Sequence, residues 1–207
     1  MSGPEARDPV TALFGGTFDP IHIGHLILAE FVREAAHLER VLFVPAGRPP
    51  HKDGHTHAAV ADRRRMVELA VAGNPHFAVS ELELDGDRPS FTIDTVRRLK
   101  AAGAKRVALI LGADSLVELG TWREPEALVQ ECELLVVERP GVELAQATAA
   151  FRAKAQVIPA PRLEIASRTI RARIAAGASI RYWVPEPVRA YIAERGLYRA
   201  SSTDADD

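Results

Sequence analysis

An apolar run at residues 10–14 passes into an amphipathic run at 26–36 through the stretch Gly15-Gly16-Thr17-Phe18-Asp19-Pro20-Ile21-His22-Ile23-Gly24-His25. No other feature of the chain constrains its fold as tightly. The first run reads as a buried strand and the second as a helix, so the glycines fall at a strand-to-helix turn. Glycine lets backbone N–H groups come close to an anion there, and the helix start adds a partial positive charge at the same place. His22 and His25, three residues apart at the helix entrance, share a face and can both reach a bound anion. The turn is neither a P-loop nor a dinucleotide fingerprint: GxxxxGK[ST] is absent, and the glycine pair lacks the GxGxxG spacing.

The rest of the chain repeats the alternation. Strand-like runs lie at 10–14, 41–44, 77–84, 106–111, 134–138 and 156–159. Helical patterns lie between them at 24–36, 59–72, 90–102, 124–130 and 143–153. Strands alternating with helices predict an α/β fold, a doubly wound parallel sheet with helices on both faces. The first and fourth strands are nearly continuous apolar runs, as central strands of such a sheet should be. Ligands bind such sheets at the carboxyl ends of the strands, near a reversal of strand order. Gly15, Pro45, Gly112 and Arg139 all fall at or just past expected strand ends.

Two further helices are expected. Ser167 can cap the helix at 168–176, and Pro185 can sit in the first turn of another, ended by Gly196. They form a small C-terminal helical extension to a single domain spanning 10–198. Residues 1–9 and 201–207 read as loose tails, and 45–57 as the longest loop.

At 207 residues and 47% hydrophobic, the chain can bury one sizeable core. A net charge of −2 argues against a nucleic-acid coat or a membrane-surface protein. An anionic ligand then needs a local positive pocket, for which Arg48 with Lys52 and Arg168 with Arg171 are candidates. One cysteine, Cys132, excludes an intramolecular disulfide and a cysteine zinc cluster, and reads as a small apolar residue. With no apolar signal segment and no run of membrane-spanning length, a cytoplasmic setting is expected. Oligomeric state is left open by the sequence.

Single residues carry both plain and chemical readings. Lys52 follows two prolines that stiffen the chain before it, which favours a placed cation over a solvated one. His51, Asp53, His55 and His57 could hold a metal, but a His-rich loop is only a compositional cue, and a solvated loop is the reading taken. No metal site is assigned. Asp114 follows a strand and a glycine, where aspartate commonly caps a helix. Asp19 can cap the first turn or orient a histidine. Trp122 sits among Gly120, Thr121, Arg123 and Glu124 rather than in an apolar run, and a flat ligand ring needs such a face. Tyr182 and Trp183 are expected to pack the C-terminal helices. Arg63-Arg64-Arg65 reads as a solvated helix face, with one member able to face a substrate phosphate.

The Gly15–His25 stretch resembles the (T/H)xGH motif of the nucleotidyltransferase superfamily. Within it the chain resembles the bacterial nicotinate-nucleotide adenylyltransferases. The likeness is carried by Pro49-Pro50-His51-Lys52, by Arg88-Pro89-Ser90-Phe91-Thr92-Ile93-Asp94-Thr95, by Leu111-Gly112-Ala113-Asp114 with Trp122, by Glu138-Arg139-Pro140-Gly141, and by Ile180-Arg181-Tyr182-Trp183-Val184-Pro185 with Gly196-Leu197-Tyr198. It runs from about residue 13 to 198. The family's second phosphate motif, Ile-Ser-Ser-Thr-x-Ile-Arg, stands here as Ile165-Ala166-Ser167-Arg168-Thr169-Ile170-Arg171. Ala166 lacks the first hydroxyl, and the threonine contact does not transfer to Arg168.

The resemblance implies a Rossmann-like nucleotidyltransferase fold that transfers AMP from ATP to nicotinate mononucleotide, with Mg²⁺ bound to the ATP. It implies that His22, His25 and Lys52 act on the phosphates. Gly15, Gly16, Thr17, Phe18, Gly24, Arg139, Ile165, Ser167 and Arg171 would contact ATP. Lys52, Thr92, Gly112, Asp114 and Trp122 would contact the mononucleotide, Trp122 by stacking on the pyridine ring. The nearest alternatives are the same transfer to nicotinamide mononucleotide or pantetheine phosphate. From other classes come a metal-dependent phosphohydrolase using the His-rich loop and a non-catalytic nucleotide sensor.

Overall fold

A computed structural model describes residues 10–47, 56–82, 91–138 and 141–200. Six strands form one sheet: β1 (Val10–Gly16), β2 (Arg40–Pro45), β3 (Phe77–Val79), β4 (Arg106–Gly112), β5 (Glu133–Val137) and β6 (Ala155–Ile158). Their order is β3-β2-β1-β4-β5-β6, and every neighbouring pair is parallel. Leu13 of β1 lies beside Leu42 of β2 on one side and Leu109 of β4 on the other. Strand order reverses between β1 and β4, and the crevice at such a switch point is where a doubly wound sheet accepts ligands.

The helices are α1 (Ile23–Ala35), α2 (Val60–Val71), α3 (Thr92–Ala101), α4 (Ala113–Val117), α5 (Pro125–Glu131), α6 (Ala149–Arg152), α7 (Ser167–Ala175) and α8 (Glu186–Arg195). Period-2 alternation along each strand sends side chains to opposite faces of the sheet. Ala12, Phe14, Val41, Phe43, Ala108 and Ile110 meet α1, α2, α7 and α8 through Ala29, Val32, Met66, Val67, Ile170, Val188 and Ile192. Leu13, Val44, Val107, Leu109, Leu111 and Val136 meet α3, α4, α5 and α6 through Ile93, Val96, Leu116, Leu128 and Phe151. Both faces are covered, so the central strands are nearly continuous apolar runs. Each fully buried Leu or Ile contributes about 1.5–3 kcal/mol, which outweighs the modest β-propensity of any one residue.

The C-terminal helices join the first of these layers. Tyr191 of α8 donates its hydroxyl to Asp62 Oδ1 of α2 at 2.7 Å, and Arg195 Nε lies 3.3 Å from the same oxygen. Gly196 ends α8 at φ +62°, a conformation that glycine adopts without a Cβ clash.

Several local expectations are corrected. The strand expected at 77–84 is regular only to Val79: Ser80 N–H still donates to Phe43 O, but Ser80 Oγ then accepts from Leu82 N–H and turns the chain. Residues 83 and 84 lie outside the described residues. The helix expected at 143–153 is a 3-10 turn, Leu144–Gln146, followed by α6, because Ala147 and Thr148 are extended. Short α4 went unforeseen; five residues are too few to show a helical period. Pro185 precedes α8 as its cap rather than lying in its first turn.

Candidate active site

At the end of β1 the chain turns through Phe18, which takes a left-handed backbone at φ +49°. That is strained for a residue with a Cβ, and it persists where packing holds it. The Phe18 ring is buried, edge-on to Phe14 at 5.8 Å and to His25 at 5.1 Å. A Cβ on Gly16 would stand 2.9 Å from that ring, so packing requires glycine there. A Cβ on Gly15 would meet nothing within 4 Å. Packing therefore makes no demand for glycine at position 15, whose backbone borders open space at the switch point.

His22 is the N-cap of α1, and its backbone N–H donates to His25 Nδ1 at 3.2 Å. An accepting Nδ1 leaves the ring proton of His25 on Nε2. The two rings stack with centroids 3.6 Å apart and planes 21° apart. His22 is only 5% exposed, and its ring lies where a Cβ on Gly24 would come within 3.1 Å. Gly24 is thus the residue that lets His22 lie flat against the first turn of α1.

The second phosphate motif packs onto this turn. Ser167 is the first residue of α7 rather than its cap, which is Ala166. Its hydroxyl donates to Pro20 O at 2.9 Å, and Arg171 Nη1 donates to Asp19 O at 2.6 Å. The Ile165 side chain stands 3.5 Å from the same Gly24 Cβ position. Arg168 points to solvent, whereas Arg171 is half-buried.

Asp19 is not the cap of α1, which is His22. Its buried carboxylate accepts from His57 N–H at 2.7 Å, Ala58 N–H at 3.2 Å and the Tyr198 hydroxyl at 2.7 Å. Burial, followed by the hydrogen bond to Asp19, pushes the Tyr198 phenol well above its ordinary value. The turn is thereby fastened to the start of the α2 segment and to the chain beyond α8.

Sequence reasoning missed Arg63. Arg64 and Arg65 pair with Glu68 at the surface, as a solvated face should. Arg63 is 1% exposed and donates to Thr17 O at 2.8 Å, Ala46 O at 2.7 Å and Gly47 O at 3.1 Å. A signal was present: position 63 falls on the helical stripe of Met66, Val67 and Val71, which a solvated arginine would avoid. Tyr182 is another correction, 84% exposed rather than packed, while Trp183 packs on the core with the Arg173 guanidinium 5.1 Å above its ring.

On the other side of the switch point, Gly112 ends β4 and is the N-cap of α4, so Asp114 lies in the first turn and is not the cap. Trp122 is half-buried against the second core layer. The next residue, Arg123, lies 4.7 Å above the Phe91 ring and 3.9 Å from Asp94, which brings the Trp122 segment beside Thr92 at the start of α3. Lys52 and Arg139 lie outside the described residues, as do Arg48, His51, Asp53 and His55. Among the described residues no group of three or more His, Cys, Asp or Glu side chains could hold a metal ion.

The family model described as "Cytidylyltransferase-like" matches residues 13–173. A probable nicotinate-nucleotide adenylyltransferase of Exiguobacterium sibiricum is 46% identical over 187 residues, covering 90% of this chain and 97% of its own. One from Thermus thermophilus is 45% identical over 191 residues, covering 90% and 98%. The chain belongs to the nicotinate-nucleotide adenylyltransferase family. As a member of that family it is a nucleotidyltransferase. Solved structures share the fold: Plasmodium falciparum nicotinic acid mononucleotide adenylyltransferase, complexed with NaAD, aligns at a TM-score of 0.76 with 19% identity, covering 92% of this chain and 97% of that one.

Proposed function

We propose that this protein transfers AMP from ATP to nicotinate mononucleotide, giving nicotinate adenine dinucleotide and pyrophosphate, a step in NAD biosynthesis. The observation that carries the reading is the stacked His22–His25 pair beside the open backbone of Gly15, at the β1–β4 switch point. A phosphate oxygen of the mononucleotide attacks the α-phosphorus of ATP. The new P–O bond forms as the bond to pyrophosphate breaks, and negative charge grows on the non-bridging oxygens. The attacking oxygen is already anionic, so no general base is required.

The Nε2–H of His25 and the His22 ring are preset donors toward that charge, which is electrostatic stabilisation rather than covalent catalysis. Gly15, Gly16, Thr17, Phe18 and Gly24 form the ATP turn. Ser167 and Arg171 of α7 and Ile165 just before it contribute to the ATP site, as does Arg139. Thr92, Gly112, Asp114 and Trp122 form the mononucleotide side, and Lys52 is the cation proposed to bind its phosphate. The donors at the turn are imidazoles and N–H groups, which suit phosphate oxygens. Mg²⁺ would therefore arrive on ATP, held largely by the substrate and water, and would neutralise part of its phosphate charge.

Residues 10–198 act as one domain in this reading. The proposed setting is the cytoplasm: among the described residues no helix is long and apolar enough to cross a membrane, and charged nucleotides do not cross a bilayer unaided. Pyrophosphate release from Mg-ATP, measured against nicotinate mononucleotide, nicotinamide mononucleotide and pantetheine phosphate, tests the assignment. Turnover highest with nicotinate mononucleotide is expected. No product with any pyridine mononucleotide overturns it.

A further inference from the structure

Arg63 is buried to 1% exposure, and among the described residues no carboxylate pairs with its guanidinium, although the Asp19 charge acts on it. Desolvating such a cation costs several kcal/mol unless hydrogen bonds compensate. Arg63 meets three carbonyl oxygens that come from two separate segments. Thr17 O belongs to the turn after β1, and Ala46 O and Gly47 O belong to the segment leaving β2. Ala46 N–H also donates to Gly16 O at 2.9 Å, where the β1–β2 ladder ends. Beyond that point the guanidinium takes over the pairing.

The consequence follows from peptide geometry. In a planar trans peptide the C=O and the next N–H point in opposite directions. Fixing Thr17 O and Ala46 O on the buried side fixes the N–H groups of Phe18 and Gly47 on the opposite side. Phe18 holds the strained left-handed backbone of this turn, so its peptide is the one most in need of an external anchor.

We propose that Arg63 is a positioning residue for adenylyl transfer, a buried guanidinium that joins the turn after β1 to the segment after β2 and so presents their backbone N–H groups to substrate phosphate. The inference rests on the reading of the site as an adenylyltransferase centre. Two nitrogens of one planar fork, Nη1 and Nη2, reach the three carbonyls here, a fixed span that the single ammonium nitrogen of lysine does not offer. The cation also lends positive potential from behind the turn without touching substrate.

The test compares wild type with Arg63→Lys and Arg63→Ala. Arg63→Lys keeps the charge and loses the fork, and it should fold with a lowered Tm. Its kcat should fall about 10- to 100-fold, the scale of a misplacement near 1 Å. Its KM for the mononucleotide should change far less than kcat. In Arg63→Ala, added methylguanidinium should restore part of kcat in a saturable way and should leave wild type unaffected. A folded Arg63→Lys with wild-type kcat overturns the proposal. So does an Arg63→Ala whose loss matches its unfolded fraction and does not respond to methylguanidinium, since that would make Arg63 a structural residue only. Calorimetric titration with Mg-ATP alone separates this inference from the functional reading. If wild type releases no pyrophosphate with any acceptor, the functional reading fails. The positioning role is then decided by whether Arg63→Lys binds Mg-ATP at least about fivefold more weakly (support) or equally well (refutation).

Discussion

His25 reaches its working geometry through its own neighbours. His22 N–H occupies Nδ1, the Phe18 ring stands edge-on and the His22 ring stacks against it, so the His25 imidazole is held in one orientation. On the proposed role, replacing His25 by alanine would remove one donor from the developing charge, and kcat should fall about 100- to 1,000-fold. The fold should survive, because the side chain lies at a helix entrance and is only half-buried. Steady-state kinetics paired with circular dichroism checks this, and a folded variant with wild-type turnover would refute the role. The histidine pair and Gly24 were readable from a spacing of three residues and a strand-to-helix transition. The partners of Asp19 lie 38 or more residues away, beyond any local window, and Arg63 was misread. A charged residue in a sequence reads as solvated, and only the fold shows which backbone groups can compensate it in the interior.

At the level of elements, α7 separates two arginines that composition treats alike. Arg171 lies on the half-buried side and holds Asp19 O, whereas Arg168 in the first turn is exposed at an end of the helix that disfavours cations. Arg168→Thr should leave KM for ATP within about twofold. Arg171→Ala should raise it by about tenfold or more, the effect of losing a charge-assisted contact worth about 1.5–3 kcal/mol. Steady-state kinetics at fixed mononucleotide checks the pair; a large loss from Arg168→Thr with little from Arg171→Ala would reverse their roles. The helices themselves were legible where they are long and amphipathic, as in α1 and α2. Boundaries failed where local bonding took over, at the Ser80 turn after β3 and at the extended Ala147-Thr148 pair before α6. Ser167, expected as a cap, is instead a donor to Pro20 O, a partner that no local window contains.

Across the whole molecule, Tyr198, beyond α8, fastens the chain to the turn after β1 by donating a hydrogen bond to Asp19. The folded state holds the Tyr198 proton above pH about 10, where the unfolded chain releases it. The stabilisation is therefore fully present below the ordinary phenol pKa and is lost as pH rises above it. Tyr198→Phe should lower stability at neutral pH by about 1.5–3 kcal/mol, as for a hydrogen bond to a charged group. It should also flatten the decline in stability above pH about 10. Urea unfolding from pH 7 to 11 measures both; an unchanged alkaline decline would show that Tyr198 does not contribute to it.

The sequence by itself determined the class of the sheet, the place of the turn, the histidine pair and the family. Each of these is written in local periodicity or in a contiguous motif. Tertiary structure alone decided the strand order and the buried polar frame behind the turn. Arg63 and Thr17 are 46 residues apart, and Asp19 and Tyr198 are 179 apart. Such pairs become visible only once packing has removed water from them, because burial is what makes one carbonyl or carboxylate the partner that a charged group must find.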